Sequence, residues 1–162
     1  MQKIITNLWF DSQAEEAAKL YISLFPNSQI DAIAYYPEAA IEQSGKPAGS
    51  VLTVDFTLDG QRYTGLNGGP LFPFTEAISL LINCETQEEV DHYWNGLLAN
   101  GGTESQCGWL KDKFGVSWQV VPTILGTLMS DPDQKKVEAV AAVMMKSIKL
   151  NVDELQKAYD AA

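Results

Sequence analysis

Apolar and polar positions alternate without a break over residues 51–58, with Leu52, Val54, Phe56 and Leu58 on one side and Val51, Thr53, Asp55 and Thr57 on the other. A period of two is the signature of a half-buried strand. Asp59-Gly60 then predicts a hairpin turn, and residues 61–67 return as the next strand, ending in Gly68-Gly69-Pro70. Upstream, residues 3–10 form an apolar run that stops at Asp11-Ser12, and Ser12-x-x-Glu15 has the form of a helix capping box. Ala14, Ala17, Tyr21, Leu24 and Phe25 follow at helical spacing until Pro26-Asn27, and residues 29–36 read as a strand before a Gly- and Pro-containing loop.

The same plan recurs downstream. Residues 77–82 are strand-like, and Thr86-x-x-Glu89 opens a helix with Val90, Tyr93, Trp94, Leu97 and Leu98 as its apolar stripe, closed by Gly101-Gly102. Short strands are expected at 106–110 and 116–121, around a turn at 111–115. A shift of 73 residues lays Glu16-Ala17 on Glu89-Val90 and Leu24-Phe25 on Leu97-Leu98, so the chain repeats a strand, helix and strands. From Pro122 onward helix formers dominate: Asp131-Pro132 predicts a cap and first-turn proline, Val137, Val140, Ala141 and Met144 trace a stripe, and Asn151-x-x-Glu154 opens a last helix.

Composition narrows the function classes. At 162 residues the chain can bury a core without covalent staples. A net charge of −10 opposes binding to nucleic acid or to an anionic membrane surface. No apolar stretch approaches the roughly 20 residues that cross a bilayer, no secretory signal is recognisable at the start, and two cysteines are too few for a disulfide framework. A cytoplasmic location is the expectation.

Three runs carry a resemblance. Leu8-Trp9-Phe10-Asp11 with Ala14-Glu15-Glu16-Ala17 and Tyr21, then Leu66-Asn67-Gly68-Gly69-Pro70, then Cys107 to Asp112 continuing through Phe114 to Pro122, resemble the PhnB-like family of the vicinal oxygen chelate (glyoxalase/bleomycin-resistance) superfamily. Some of its relatives are labelled 3-demethylubiquinone-9 3-methyltransferase. The resemblance implies an α+β fold of paired βαβββ modules whose strands curl into a cleft, usually in a homodimer. Residues 1–70 would form the first module, 71–121 the second and 122–162 a helical extension of one domain.

Metal-dependent relatives place a histidine on each module's first strand and a carboxylate on each last strand. The matching positions here are Ile5, Ala77, an acid-free stretch at 61–67, and Gln119. Apolar side chains and a neutral amide are poor ligands for a divalent cation, so no metal is expected. The lone His92 lies on the outer side of the second helix. S-adenosylmethionine is not expected either, because Asp11-Ser12-Gln13 joins strand to helix without a glycine-rich turn.

Strand alternation nominates Asn7, Trp9, Thr53, Tyr63, Asn67, Ser79, Ser117 and Gln119 as a neutral polar cleft lining, with Asp55 and Glu76 as candidate bases. Cys107 has no histidine near it in sequence to activate the thiol. The primary expectation is a metal-independent, homodimeric binding protein for a small, largely uncharged ligand. An enzyme of proton abstraction or isomerisation, and an interaction protein with a vestigial cleft, are the alternatives.

Overall fold

The computed structural model describes residues 2–162. Its contacts divide the chain into two compact units, Met1–Phe74 and Thr75–Ala162. In the first, β1 (Thr6–Phe10), α1 (Ala14–Leu24), β2 (Gln29–Tyr35), β3 (Val51–Leu58) and β4 (Gln61–Asn67) build a four-stranded sheet in the order β1-β4-β3-β2. The link from β2 to β3 carries a 3₁₀ turn (Glu38–Ala40) and α2 (Ile41–Ser44). In the second, β5 (Leu80–Cys84), α3 (Gln87–Leu98), β6 (Thr103–Glu104), β7 (Trp109–Lys111) and β8 (Ser117–Pro122) give the order β5-β8-β7-β6. In each sheet the first strand pairs parallel with the last, and the last pairs antiparallel with the strand before it. The repeat read from the sequence is therefore a repeat of topology, two βαβββ modules in an α+β chain.

Each helix buries its apolar stripe on one face of its own sheet. In the first unit Ala14, Ala17, Ala18 and Tyr21 of α1 meet the sheet layer of Leu8, Phe10, Val54, Phe56 and Leu58, all buried. In the second, Val90, Trp94 and Leu97 of α3 do the same with Ile82, Cys84, Leu110, Trp118 and Val120. Tyr21 and Trp94 stand at matching places in the repeat and are both almost fully enclosed. At roughly 1.5–3 kcal/mol per fully buried large apolar side chain, these layers supply the main drive for folding.

Strands β3 and β4 keep the expected bounds, and the hairpin turn has Asp59 and Gly60 both at positive φ, 43° and 79°. Other boundaries move. The strand expected at 77–82 begins at Leu80, where pairing with Trp118 of β8 starts. The strand expected at 106–110 shortens to Trp109–Lys111 because Cys107 and Gly108 adopt positive φ and donate their amides to Ser147 and Ile148 instead. The two-residue β6 was not anticipated.

Helix caps follow the sequence at Thr86, which accepts from the Glu89 amide, and at Asn151, which accepts from Glu154. Ser12 caps nothing. The N-terminus of α1 is capped from β4, where Asn67 Oδ1 accepts the Ala14 amide at 2.8 Å. The cap of α5 (Gln134–Met144) is Asp133 and not Asp131; Asp131 accepts the Tyr159 hydroxyl of α6 (Val152–Asp160).

The tail is helical, as its composition predicts. With α4 (Ile124–Met129), it closes its own core of Leu125, Leu128, Val140, Leu150 and Leu155, against which Val121, Ile124, Met129, Val143, Met144 and Tyr159 pack. Most of the tail's apolar side chains thus pack inside the second unit. Met145 and Ile148 remain exposed.

Candidate functional site

Opposite its helix, each sheet has an open face. In the first unit this face carries Asn7, Trp9, Thr53, Asp55, Arg62, Thr64 and Leu66, as the register sets out: Asn7 beside Thr64, Trp9 beside Leu66, Asp55 across from Thr64. Asp55 Oδ1 accepts the Thr64 hydroxyl at 2.6 Å. Asn7 is exposed, and Thr53 and Trp9 are half-buried.

Two nominated residues of β4 lie on the other side. Tyr63 stacks on Phe56 in the helix-facing layer, with ring centroids 5.5 Å apart, and burial pushes its hydroxyl pKa up. Asn67 is 4% exposed and serves three segments at once. Its Oδ1 caps α1, its Nδ2 donates to the Val51 carbonyl at 3.1 Å, and its own carbonyl accepts the Tyr36 hydroxyl at 2.7 Å. It is a staple, not a cleft residue. The reason is the two-residue hairpin, which pairs odd-numbered positions of β3 with even-numbered positions of β4.

Trp9 is held rather than free to stack on a ligand. Its Nε1 donates to the Gly69 carbonyl at 2.8 Å and its ring meets Phe72 edge-on. Gly68 lies against the same ring; a Cβ there would sit 2.2 Å from a ring carbon. The glycine pair after β4 thus serves to seat an indole.

The second unit gathers the remaining candidates. Ser79, Trp109, Lys111, Ser117 and Gln119 share the open face of the β5-β8-β7-β6 sheet, with Lys111 paired to Ser117 and Trp109 to Gln119. Gln119 Nε2 donates to the Ser79 hydroxyl at 2.8 Å. Beside them is a cavity of about 200 Å³ lined by Glu76, Thr103, Glu104, Ser105, Trp109, Leu110, Lys111 and Ser117. Ser117 is 2% exposed, and its Oγ has no hydrogen-bond partner among the described residues. Buried hydroxyls are normally satisfied by protein, water or ligand, and at Ser117 the described residues supply no partner.

Charge at the cavity is set by three groups. Lys111 Nζ forms an ion pair with Glu76, which holds the Glu76 carboxyl below its ordinary range. Glu76, a candidate base from the sequence, is thus exposed and ion-paired, which favours its charged form. Glu104 Oε1 accepts the Trp94 Nε1 proton at 3.2 Å from inside the module. Sequence reasoning passed over Lys111 and Glu104. The ion pair joins positions 35 residues apart (111 less 76), which no local pattern reveals.

Neighbouring residues have structural roles. Asp112 is 3% exposed and accepts the Phe114 and Val116 amides and the Trp118 indole, fixing the turn between β7 and β8. Cys107 Sγ lies 3.9 Å from Met145 Sδ, and no histidine accompanies it; His92 is exposed on α3 with its ring against Tyr93.

Residues 2–121 match the family described as 3-demethylubiquinone-9 3-methyltransferase. A PhnB protein from Bacillus cereus, described as a putative 3-demethylubiquinone-9 3-methyltransferase, is 37% identical over 75% of this chain and 100% of its own, with a TM-score of 0.66. The chain belongs to the PhnB-like family.

More distant structures share only the fold. A protein from Pseudomonas aeruginosa is 19% identical with a TM-score of 0.58, covering 75% of this chain and 98% of its own. The fosfomycin resistance protein FosX of Listeria monocytogenes is 14% identical with a TM-score of 0.50, covering 75% and 93%. No curated protein matches the PhnB-like chain.

Neither group that the relatives' descriptions and fold suggest finds a fit. Among the described residues no three His, Cys, Asp or Glu side chains come together as a metal site. The position expected for the second carboxylate is Gln119, a neutral amide already engaged with Ser79. For S-adenosylmethionine, the N-terminus of α1 is taken by Asn67, and Gly68-Gly69 is filled by Trp9. Among the described residues no helix is long and apolar enough to cross a membrane.

Proposed function

We propose that this PhnB-like protein binds a small molecule without a metal ion, on the open sheet face of its second unit. The observation that carries this reading is the partnerless Ser117 hydroxyl at a cavity lined by hydroxyls, one lysine, two carboxylates and an indole. An apolar wall with a few directed polar groups is the usual make-up of a ligand site. Gln119 and Ser79 extend the polar surface on the same face.

Mass spectrometry of small molecules released on denaturing the purified protein tests the reading. The expected result is one compound recovered near stoichiometry, or a melting temperature raised saturably by members of a metabolite panel, since a ligand of the folded state stabilises it by mass action. Elemental analysis should find no stoichiometric Zn²⁺, Ni²⁺ or Mn²⁺, and S-adenosylmethionine should leave the melting temperature unchanged. No compound and no shift across the panel, or one tightly held metal per chain, would overturn it.

The reading includes a cytoplasmic, reducing setting, supported by two free thiols at Cys84 and Cys107. It also includes a homodimer. Support comes from the superfamily's habit of pairing and from the exposure of Leu71, Phe72, Ile78 and Leu81. Sedimentation equilibrium at micromolar concentration should give twice the 17.8 kDa chain mass.

A further inference from the structure

The charges at the second unit's cavity point to a ligand more specific than the uncharged one expected from the sequence, and this step rests on the binding function proposed above. We propose that the cavity takes a small zwitterion, an amino-acid-like molecule with a carboxylate and a protonated amine a few bonds apart.

Four observations converge. Ser117 lines the cavity and its hydroxyl has no partner among the described residues, so an occupant with a polar atom there would satisfy it. The register sets Ser117 beside Lys111 on the open face, so an oxygen that meets the hydroxyl also lies near the lysine. A carboxylate suits both, accepting from the hydroxyl and from the ammonium, which carries three N–H donors.

The remaining charge is balanced. Lys111 and Glu76 neutralise each other, while the Glu104 carboxylate accepts the Trp94 indole proton on the helix side, its residue lying across from buried Leu110. A simple anion would have to displace Glu76 from Lys111 and would meet the field of a protein of net charge −10. A simple cation would satisfy Glu76 but bring no acceptor for Lys111. A zwitterion replaces the Lys111–Glu76 pair by two pairs, its carboxylate on Lys111 and its amine on Glu76, with no change in net charge.

Size and the apolar wall agree. A volume of about 200 Å³ suits a molecule of amino-acid size. Trp109, half-buried at the same cavity, presents an indole that can cover an aliphatic side chain or face the ammonium.

Calorimetric titration and thermal-shift measurements test this, using a panel of free L-amino acids and glycine betaine, with acetate and methylamine as the anion-only and cation-only arms. At least one zwitterion should bind saturably, and at least tenfold tighter than either acetate or methylamine. Ser117→Ala should fold with an unchanged or higher melting temperature, because it removes an unsatisfied hydroxyl, and should weaken that zwitterion at least tenfold. Lys111→Met should do the same and should remove any residual acetate binding. The inference is overturned if no zwitterion binds, or if binding is indifferent to both substitutions. It is equally overturned if acetate or methylamine matches the zwitterion. Uncharged compounds that bind the wild type while every zwitterion fails would reject the zwitterion and leave the binding function standing. Silence across charged and uncharged compounds alike rejects both.

Discussion

Replacing Asn67 by alanine should cost far more than its place at the end of a strand suggests. The side chain accepts the Ala14 amide at the start of α1 and donates to the Val51 carbonyl of β3, tying helix to sheet across 53 residues of sequence. Ala14 is 0% exposed, so its amide cannot turn to solvent once the cap is gone. An unsatisfied buried donor costs about 1–3 kcal/mol, and the orphaned carbonyl adds about 1 kcal/mol, for a loss of roughly 2–4 kcal/mol. For a chain of this size that lowers the melting temperature by roughly 5–15 °C. Asn67→Asp should fall between, since it keeps an acceptor that the helix N-terminus favours but turns a carboxylate oxygen towards the Val51 carbonyl. Ser12→Ala is the control: the local sequence marks Ser12 as the cap, yet α1 has no side-chain cap from it. It should change stability by less than about 0.5 kcal/mol. Urea unfolding followed by circular dichroism reads all three. If Ser12→Ala proves the costlier substitution and Asn67→Ala is near neutral, the assignment of the cap to β4 is wrong.

Gly68→Ala should destabilise by about 1–3 kcal/mol through overpacking, because the new Cβ would lie 2.2 Å from the Trp9 ring; tryptophan fluorescence should shift as the indole moves, and an unchanged spectrum with full stability would refute the contact. In native protein, iodoacetamide should label Cys107 and spare Cys84, which is 0% exposed; equal rates on peptide mapping would contradict that burial. Burial, reinforced by the Glu89 carboxylate, pushes the Cys84 thiol from 9.0 up to about 11. The folded state thus prefers the neutral thiol, and its contribution is intact below pH 9.0 and lost as the pH rises towards about 11. Cys84→Ala should flatten that part of the stability curve in alkaline urea titrations, and an unaltered slope would count against the shift.

What the sequence revealed and what it concealed divide along one physical line. Strands β3 and β4 were legible because alternation and the Asp59-Gly60 turn are both local, and the two modules because their strand and helix patterns recur. The α1 cap was misread because its partner is supplied by another strand. Asp112 escaped notice because nothing in Lys111-Asp112-Lys113 tells a solvated acid from one enclosed by two amides and an indole.

The error at Tyr63 and Asn67 has a different origin, and it bears on the function. The information was present: a two-residue turn joining Leu58 to Gln61 requires odd positions of β3 to face the same way as even positions of β4. Carrying one parity through the hairpin put the wrong β4 residues on the open face. With the register corrected, that strand contributes Arg62, Thr64 and Leu66 to the open face, and its polar amide joins the core. The first unit's open face then contains an acid hydrogen-bonded to Thr64 and an indole held by glycine, while the second contains a buried hydroxyl with no partner. The repeat that makes the fold symmetric in topology leaves it asymmetric in chemistry. Unsatisfied polarity is concentrated at Ser117, and binding is expected where polarity is left to be satisfied.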